Sequence, residues 1–244
     1  MSLEDLRREV WRANLDLAKY GLAVLTWGNA SGIDRSRGLV AIKPSGVPYD
    51  RLRPQDLVVV DLDGRIAEGE LRPSSDTPIH LELYRAWPSV GGIAHTHSAH
   101  AVMFAQAWRP IPCLGTTHAD AFRGDVPITR ELTPREVDEG YEKATGVAIV
   151  ECFDREKRDP LHTPAVLAPG HGPFAWGADA PRAAENALIL EEVARMAFGA
   201  LLLRGTGKLA ECGPERLPGH MADKHFHRKH GPAAYYGQPR VPTK

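Results

Sequence analysis

The chain has 244 residues, 43% of them hydrophobic and 25% charged, with 30 Lys+Arg against 31 Asp+Glu. That is an ordinary globular composition with enough length to bury a real core, and the near-neutral charge excludes a basic nucleic-acid footprint. No run approaches the roughly 18 apolar residues that span a bilayer, and the opening Met1-Ser2-Leu3-Glu4-Asp5 lacks the basic-then-apolar pattern of a secretory leader. Cys113, Cys152 and Cys212 are scattered without a CxxC, which argues against a disulfide framework and suits the reducing cytoplasm.

In chain order, Leu3, Leu6, Val10, Ala13 and Leu17 step by three and four and predict an amphipathic helix. Thr26 to Ser31 reads as a small polar loop, and Leu39 to Ile42 as a short strand ending at Lys43-Pro44-Ser45-Gly46. Leu57 to Leu62 and Arg65 to Ala67 read as a hairpin around Asp63-Gly64. Ser74-Ser75-Asp76-Thr77-Pro78 opens a helix running to about Trp87. Gly92 to His97 reads as a buried strand. Thr133-Pro134-Arg135-Glu136 is a capping box. Val147 to Glu151 and Ala165 to Ala168 read as strands, Pro181 to Leu203 as a long helix, Arg204 to Gly219 as an irregular connection, and Met221 to His230 as a short helix. Helices alternating with short strands, one pair of them a hairpin, predict an α/β layered protein with a mixed or antiparallel sheet.

Histidine is the unusual residue, present 11 times. His95 and His97 at i and i+2 of a strand share a face, and two imidazoles so placed can bind one ion. His171, flanked by Gly170 and Gly172, is a candidate third ligand. Three histidines leave the open position that a catalytic zinc site keeps. His100 and His118 are nearby in sequence, and His100 reads as a surface or packing residue. Asp76 is open between a fourth ligand, an acid/base group and a plain helix cap. Gly28-Asn29, Ser45-Gly46 and Ser74-Ser75 share small residues that let backbone N–H groups approach an anion, with Lys43 adding charge. Each alone is an ordinary turn. Beside a metal site, the set points to a small phosphorylated substrate.

Seven stretches carry a family resemblance: Leu25-Thr26-Trp27-Gly28-Asn29, Ile42-Lys43-Pro44-Ser45-Gly46-Val47, Pro73-Ser74-Ser75-Asp76-Thr77-Pro78, Gly91-Gly92-Ile93-Ala94-His95-Thr96-His97-Ser98, Gly115-Thr116-Thr117-His118-Ala119-Asp120, His171-Gly172-Pro173-Phe174-Ala175-Trp176-Gly177, and Arg228-Lys229-His230-Gly231 with Ala234-Tyr235-Tyr236-Gly237-Gln238. Together, from about Leu3 to Gln238, they resemble the class II aldolase/epimerase family on its pentulose-phosphate 4-epimerase side. The resemblance implies one three-layer α/β/α domain over 1–244, with a mixed, mainly antiparallel central sheet and with 239–244 as a C-terminal extension. It implies a homotetramer with active sites between subunits. It makes His95, His97, His171 and Asp76 the metal site, with one Zn2+ per subunit. It makes Gly28, Asn29, Lys43, Ser45, Gly46, Ser74 and Ser75 the substrate and phosphate site. Asp120 and Tyr236 become acid/base residues supplied from the neighbouring subunit, with His225 assisting and Asp76 a further candidate for the chemistry.

The implied reaction interconverts L-ribulose 5-phosphate and D-xylulose 5-phosphate. The C4 hydrogen of a 2-ketose is β to the carbonyl and is not acidic, so deprotonation cannot invert that centre. Oxidation would need a nicotinamide site, and no dinucleotide-binding fingerprint is present. Cleavage and re-formation of the C3–C4 bond through a metal-stabilised enediolate remains. A fuculose- or rhamnulose-phosphate aldolase is the alternative; such aldolases carry a glutamate where this chain has Asp76.

Overall fold

The computed structural model describes residues 2–205, 215–232 and 234–236. The N-terminal helix α1 (Leu3–Lys19) starts on a capping box. Ser2 Oγ accepts from the Asp5 backbone N–H, and the Asp5 carboxylate accepts from the Ser2 N–H. Leu6, Val10, Ala13 and Leu17 are buried along one stripe, as their spacing predicts. Strands β1 (Asn29–Asp34), β2 (Leu39–Ile42), β3 (Val58–Asp61) and β4 (Ile66–Glu68) follow. After them come α2 (Thr77–Ala86), β5 (Gly92–His95), α3 (Ala99–Gln106), α4 (Thr116–Ala119) and α5 (Pro134–Glu156). Strands β6 (Ala165–Ala168) and β7 (Gly172–Gly177) and helices α6 (Ala180–Gly205) and α7 (Gly219–Lys229) complete the described chain.

The seven strands form one sheet in the order β4-β3-β2-β1-β5-β7-β6. Every pairing between them is antiparallel, so of the expected mixed or antiparallel sheet the antiparallel form is the one present. The interior strands are buried on both faces, and the two faces carry different residues. Ala30, Ala41, Val59, Ala94 and Ala175 pack with α1, α3 and α6. Val40, Val58, Val60, Ile93, Phe174 and Trp176 pack with α2 and α5. Alternation along each strand therefore separates a small-residue face, which lets helices approach closely, from a bulky one. This gives the α/β/α layering.

Three local expectations change. Val147–Glu151 is not a strand but part of α5. Its apolar run is too short for periodicity to separate strand from helix, and the buried set Thr145, Ala148, Ile149, Cys152 and Phe153 steps at helical spacing toward α2. The expected loop over Thr26–Ser31 gives way to β1 from Asn29, and β7 forms where only a turn around His171 is expected. β1 is rich in small residues and buried on both sides, so it shows no hydrophobic alternation, while β7 opens on Gly172-Pro173, which reads as a turn and hides the Phe174-Ala175-Trp176 alternation behind it. Finally, β5 ends at His95, so His97 comes from the segment beyond the strand. The expected helix at the C-terminal end is α7. The 206–214 part of the expected connection, Cys212 and the proposed extension 239–244 lie outside the described residues. Cys113 and Cys152 are buried free thiols, each pushed up to about 11 by burial, which keeps them unreactive near neutrality. No helix among the described residues is long and apolar enough to cross a membrane.

Candidate metal and phosphate site

Register brings the site together at one end of the sheet. Asn29 of β1 stands opposite His95 of β5, and His95 stands opposite Phe174 of β7. His171 immediately precedes β7, in a turn where Gly170 has φ 66°. Gly28 closes the other side of the same edge. Its φ is 78°, and a Cβ there would lie 2.6 Å from the His95 carbonyl oxygen, so only glycine fits.

His95 is fully buried with its ring stacked on Phe174, centroids 4.3 Å apart. Its Nδ1 lies 3.0 Å from the Pro173 carbonyl oxygen, which only accepts. Nδ1 therefore carries the proton and Nε2 presents a lone pair. That Nε2 is 3.0 Å from Nε2 of His97. His171 Nδ1 lies 3.1 Å from the Tyr141 hydroxyl, which leaves its Nε2 for the cluster. One ligand atom from each of the three rings lies within 4.8 Å of the others. Burial pushes His95 down to about 3 and holds His97 and His171 below the ordinary imidazole value. These are neutral imidazoles with converging lone pairs, the donor set a borderline-soft divalent cation needs. The residues fit the metal that the sequence implies.

Asp76 precedes α2 yet makes no side-chain capping bond. Ser74 Oγ accepts from the Asp76 N–H at 3.3 Å, ahead of the helix. The Asp76 Oδ2 instead accepts from Asn29 Nδ2 at 2.6 Å and lies 4.0 Å from His95 Nε2. The cap alternative falls away, and the carboxylate stands beside the histidines. Asn29 Nδ2 also reaches Ser74 Oγ at 3.0 Å, while its buried Oδ1 has no partner among the described residues. The two serine segments are zipped to each other. Ser45 N–H donates to Arg72 O, Ser74 N–H donates to Lys43 O, and Pro44 bridges to Pro73.

Lys43 is 2% exposed and has no carboxylate partner among the described residues. Its Nζ reaches only the Pro44 carbonyl, at 3.4 Å, and the face of Tyr49, 4.8 Å from the ring centroid. Desolvation lowers it to about 8. A buried cation without a counter-ion is costly unless an anion arrives. One cavity of about 360 Å³ is lined by His95, His97, His171 and Asp76 and by Gly28, Asn29, Lys43, Ser45, Gly46, Ser74 and Ser75, with Thr26, Trp27 and Pro44 beside them. Every residue expected at the metal or at the phosphate lines that one space.

The remaining expected residues form a separate cluster. Asp120 follows α4, and its carboxylate is gripped from α7. Arg228 Nε donates to Oδ1 at 2.7 Å, a second guanidinium nitrogen donates to Oδ2, and His225 Nδ1 lies 3.0 Å from Oδ1. Lys229 Nζ is 3.7 Å from Oδ2. Burial alone would raise Asp120, but the hydrogen bonds from Arg228 and His225 hold it below the usual carboxylate range. Tyr236 is exposed, and its backbone N–H donates to Arg228 O at 2.9 Å. None of Asp120, His225 and Tyr236 lines the histidine cavity.

Two groups at the site escape sequence reasoning. Tyr141, which positions His171, follows the non-helical Gly140 that interrupts α5. The Tyr49 hydroxyl lies within 3.0 Å of the Trp27 and Gly28 carbonyls and shapes the 26–28 turn. Neither belongs to a spaced motif; the glycine inside a helical pattern is the one local hint for Tyr141. His100 is structural, as expected, and His118 is structural too. His100 meets Glu191, whose carboxylate also accepts from the first N–H groups of α3. His118 Nε2 donates to Gly124 O.

The family model for the class II aldolase and adducin N-terminal domain matches residues 8–198. The chain belongs to this family. It is 52% identical over 236 residues to proteins named L-ribulose-5-phosphate 4-epimerase UlaF from Salmonella paratyphi A and Salmonella typhi, spanning 97% of this chain and 100% of theirs. Among solved structures, an L-fuculose 1-phosphate aldolase superposes with a TM-score of 0.75 at 26% identity, over 91% of this chain and 94% of the aldolase. The class II aldolase fold is thus shared with an aldolase of lower identity, while the relatives with half their residues in common bear the epimerase name.

Proposed function

We propose that this chain is a zinc-dependent L-ribulose-5-phosphate 4-epimerase that interconverts L-ribulose 5-phosphate and D-xylulose 5-phosphate. One observation carries the reading. A three-imidazole donor set and an uncompensated buried lysine beside two serine segments line the same cavity, in a chain 52% identical to named 4-epimerases.

Lys43, the hydroxyls of Ser45, Ser74 and Ser75, and the backbone at Gly28 and Gly46 bind the phosphate; Asn29 and Asp76 set the edge between phosphate and metal. A divalent ion held by His95, His97 and His171, with Asp76 beside them, supplies a Lewis acid at the ketone end. Asp120 and Tyr236 exchange the proton of the C4 hydroxyl, each serving one epimer, and His225 supports Asp120. When the C4 hydroxyl loses its proton, C4 becomes an aldehyde and the C3–C4 electron pair stays on the three-carbon fragment. Rotation of the phosphate-tethered aldehyde exposes its other face, and re-addition gives the epimer. The phosphate grip keeps the two-carbon fragment in place during that rotation.

Asp120 and Tyr236 lie outside the histidine cavity of their own chain, which favours delivery from a neighbouring subunit of a homotetramer. On this reading residues 1–244 are one catalytic domain of a cytoplasmic enzyme. The deciding experiment is incubation with L-ribulose 5-phosphate and zinc, followed by detection of D-xylulose 5-phosphate. Accumulation of free aldehyde fragments without epimer would replace the epimerase with a sugar-phosphate aldolase.

A further inference from the structure

We infer that Arg228 is the positioning residue that holds Asp120 and Tyr236 as a single acid/base unit; this rests on the epimerase reading above. The observation is a juxtaposition. The guanidinium of Arg228 meets both oxygens of Asp120, and its Cζ lies 5.0 Å from the centroid of the Tyr236 ring. The backbone carbonyl of the same residue accepts from the Tyr236 N–H at 2.9 Å. Two groups more than a hundred positions apart in sequence are therefore tied to one side chain on α7.

The forked contact does more than dock the helix. A planar guanidinium fixes both the position and the plane of a carboxylate, which a lysine ammonium cannot do. The contacts are also unequal. Oδ1 takes Arg228 Nε at 2.7 Å and His225 Nδ1 at 3.0 Å, which occupies both of its lone pairs. Oδ2 takes one guanidinium nitrogen, with Lys229 Nζ farther away at 3.7 Å. Oδ2 is therefore the oxygen with a lone pair left for proton transfer, and Arg228 fixes where it points. His230 Nε2 completes the cradle by donating to the Asp120 backbone carbonyl at 2.9 Å.

The test uses the full-length zinc-loaded protein. In Arg228→Ala, kcat falls about 10²-fold while KM moves less than about threefold, with zinc content, assembly size and thermal midpoint unchanged. Asp120 then keeps His225 and Lys229 from α7, and His230 just beyond it, as its titratable neighbours. The acidic limb of the kcat profile accordingly moves to higher pH, because the carboxylate loses its strongest stabiliser. Added guanidinium restores part of kcat in Arg228→Ala, and Arg228→Lys retains an intermediate rate about tenfold below the native enzyme. An unshifted acidic limb with native kcat overturns the inference. So does a loss that tracks reduced thermal stability and that guanidinium does not relieve. If the native protein forms no D-xylulose 5-phosphate, the epimerase reading itself fails; an active native enzyme with an indifferent Arg228→Ala sinks this inference alone.

Discussion

His95 sits on an interior strand, paired on both sides, with its ring stacked on Phe174 and its Nδ1 bound to a backbone carbonyl. Asp120 sits at the end of a four-residue helix and is held by side chains from α7, a helix whose packing partner is that same short helix. The first group is fixed by backbone pairing across the sheet, the second by charge. Strand pairing is cooperative and dry, whereas an ion pair at a partly exposed site is adjustable and screened by salt. A binding pocket for metal and phosphate needs the first kind of support. Proton-transfer groups that must meet a rotating aldehyde can use the second.

The largest expected effect breaks the first region. His97→Ala removes one of three converging lone pairs without touching the buried strand residue His95. A Lewis acid contributes several kcal/mol to such a reaction, so we expect turnover to fall by about 10³-fold or more, with zinc lost on dialysis. Metal analysis alongside an epimerase assay checks this. A variant that keeps stoichiometric zinc and native turnover would remove His97 from the ligand set.

Next comes a change confined to the second region. Asp120→Asn preserves shape and removes the base, so kcat should fall by about 10²- to 10³-fold while bound zinc stays at the native level. If zinc is lost together with activity, the two regions are not separate and Asp120 acts on the metal site.

The same contrast explains what could be read from residues alone. The steps of three and four from Leu3 to Leu17 announce α1, and the Thr133–Glu136 capping box announces α5, because both are local patterns written within a few turns. His95, His97 and His171 are nameable as a set because metal chemistry restricts ligand types. Their route into one cluster is not legible: His97 leaves the strand, and β7, which follows His171, opens on Gly172-Pro173, a pair that reads as a turn. The role of Tyr141 depends on a contact across 30 positions, and the grip of Arg228 on Asp120 spans 108. Contacts of that range are set by the packing of whole layers, which no local pattern encodes.

A third prediction sharpens the comparison inside the first region. Lys43 is buried with no counter-ion among the described residues, so its charge costs stability until phosphate binds. Lys43→Met should raise the thermal midpoint of the ligand-free protein. The charged hydrogen bonds lost to phosphate are worth about 1.5–3 kcal/mol, which weakens substrate binding about 10- to 100-fold. Paired melting and KM measurements check it. Reduced stability together with unchanged KM would show that Lys43 serves the fold and not the ligand.

The smallest effect tests whether the packing beneath the Asp120 cluster is as dry as that beneath the histidines. His118 donates from Nε2 to Gly124 O, and its buried Nδ1 has no partner among the described residues. Burial pushes it from an ordinary value of 6.5 down to about 4. Above pH 6.5 the ring is neutral whether the chain is folded or unfolded, so it costs nothing. As pH falls from 6.5 toward 4, the unfolded chain takes up a proton that the folded chain refuses, and stability declines; below about 4 this contribution levels off. His118→Gln keeps an N–H for Gly124 and removes the titration. In chemical denaturation of metal-free protein, its stability should therefore depend less steeply on pH across that window, by up to about 1.4 kcal/mol per pH unit. Equal slopes for the variant and the native protein would mean that water reaches His118. The α4 platform carrying Asp120 would then be open to solvent, unlike the sheet that carries His95.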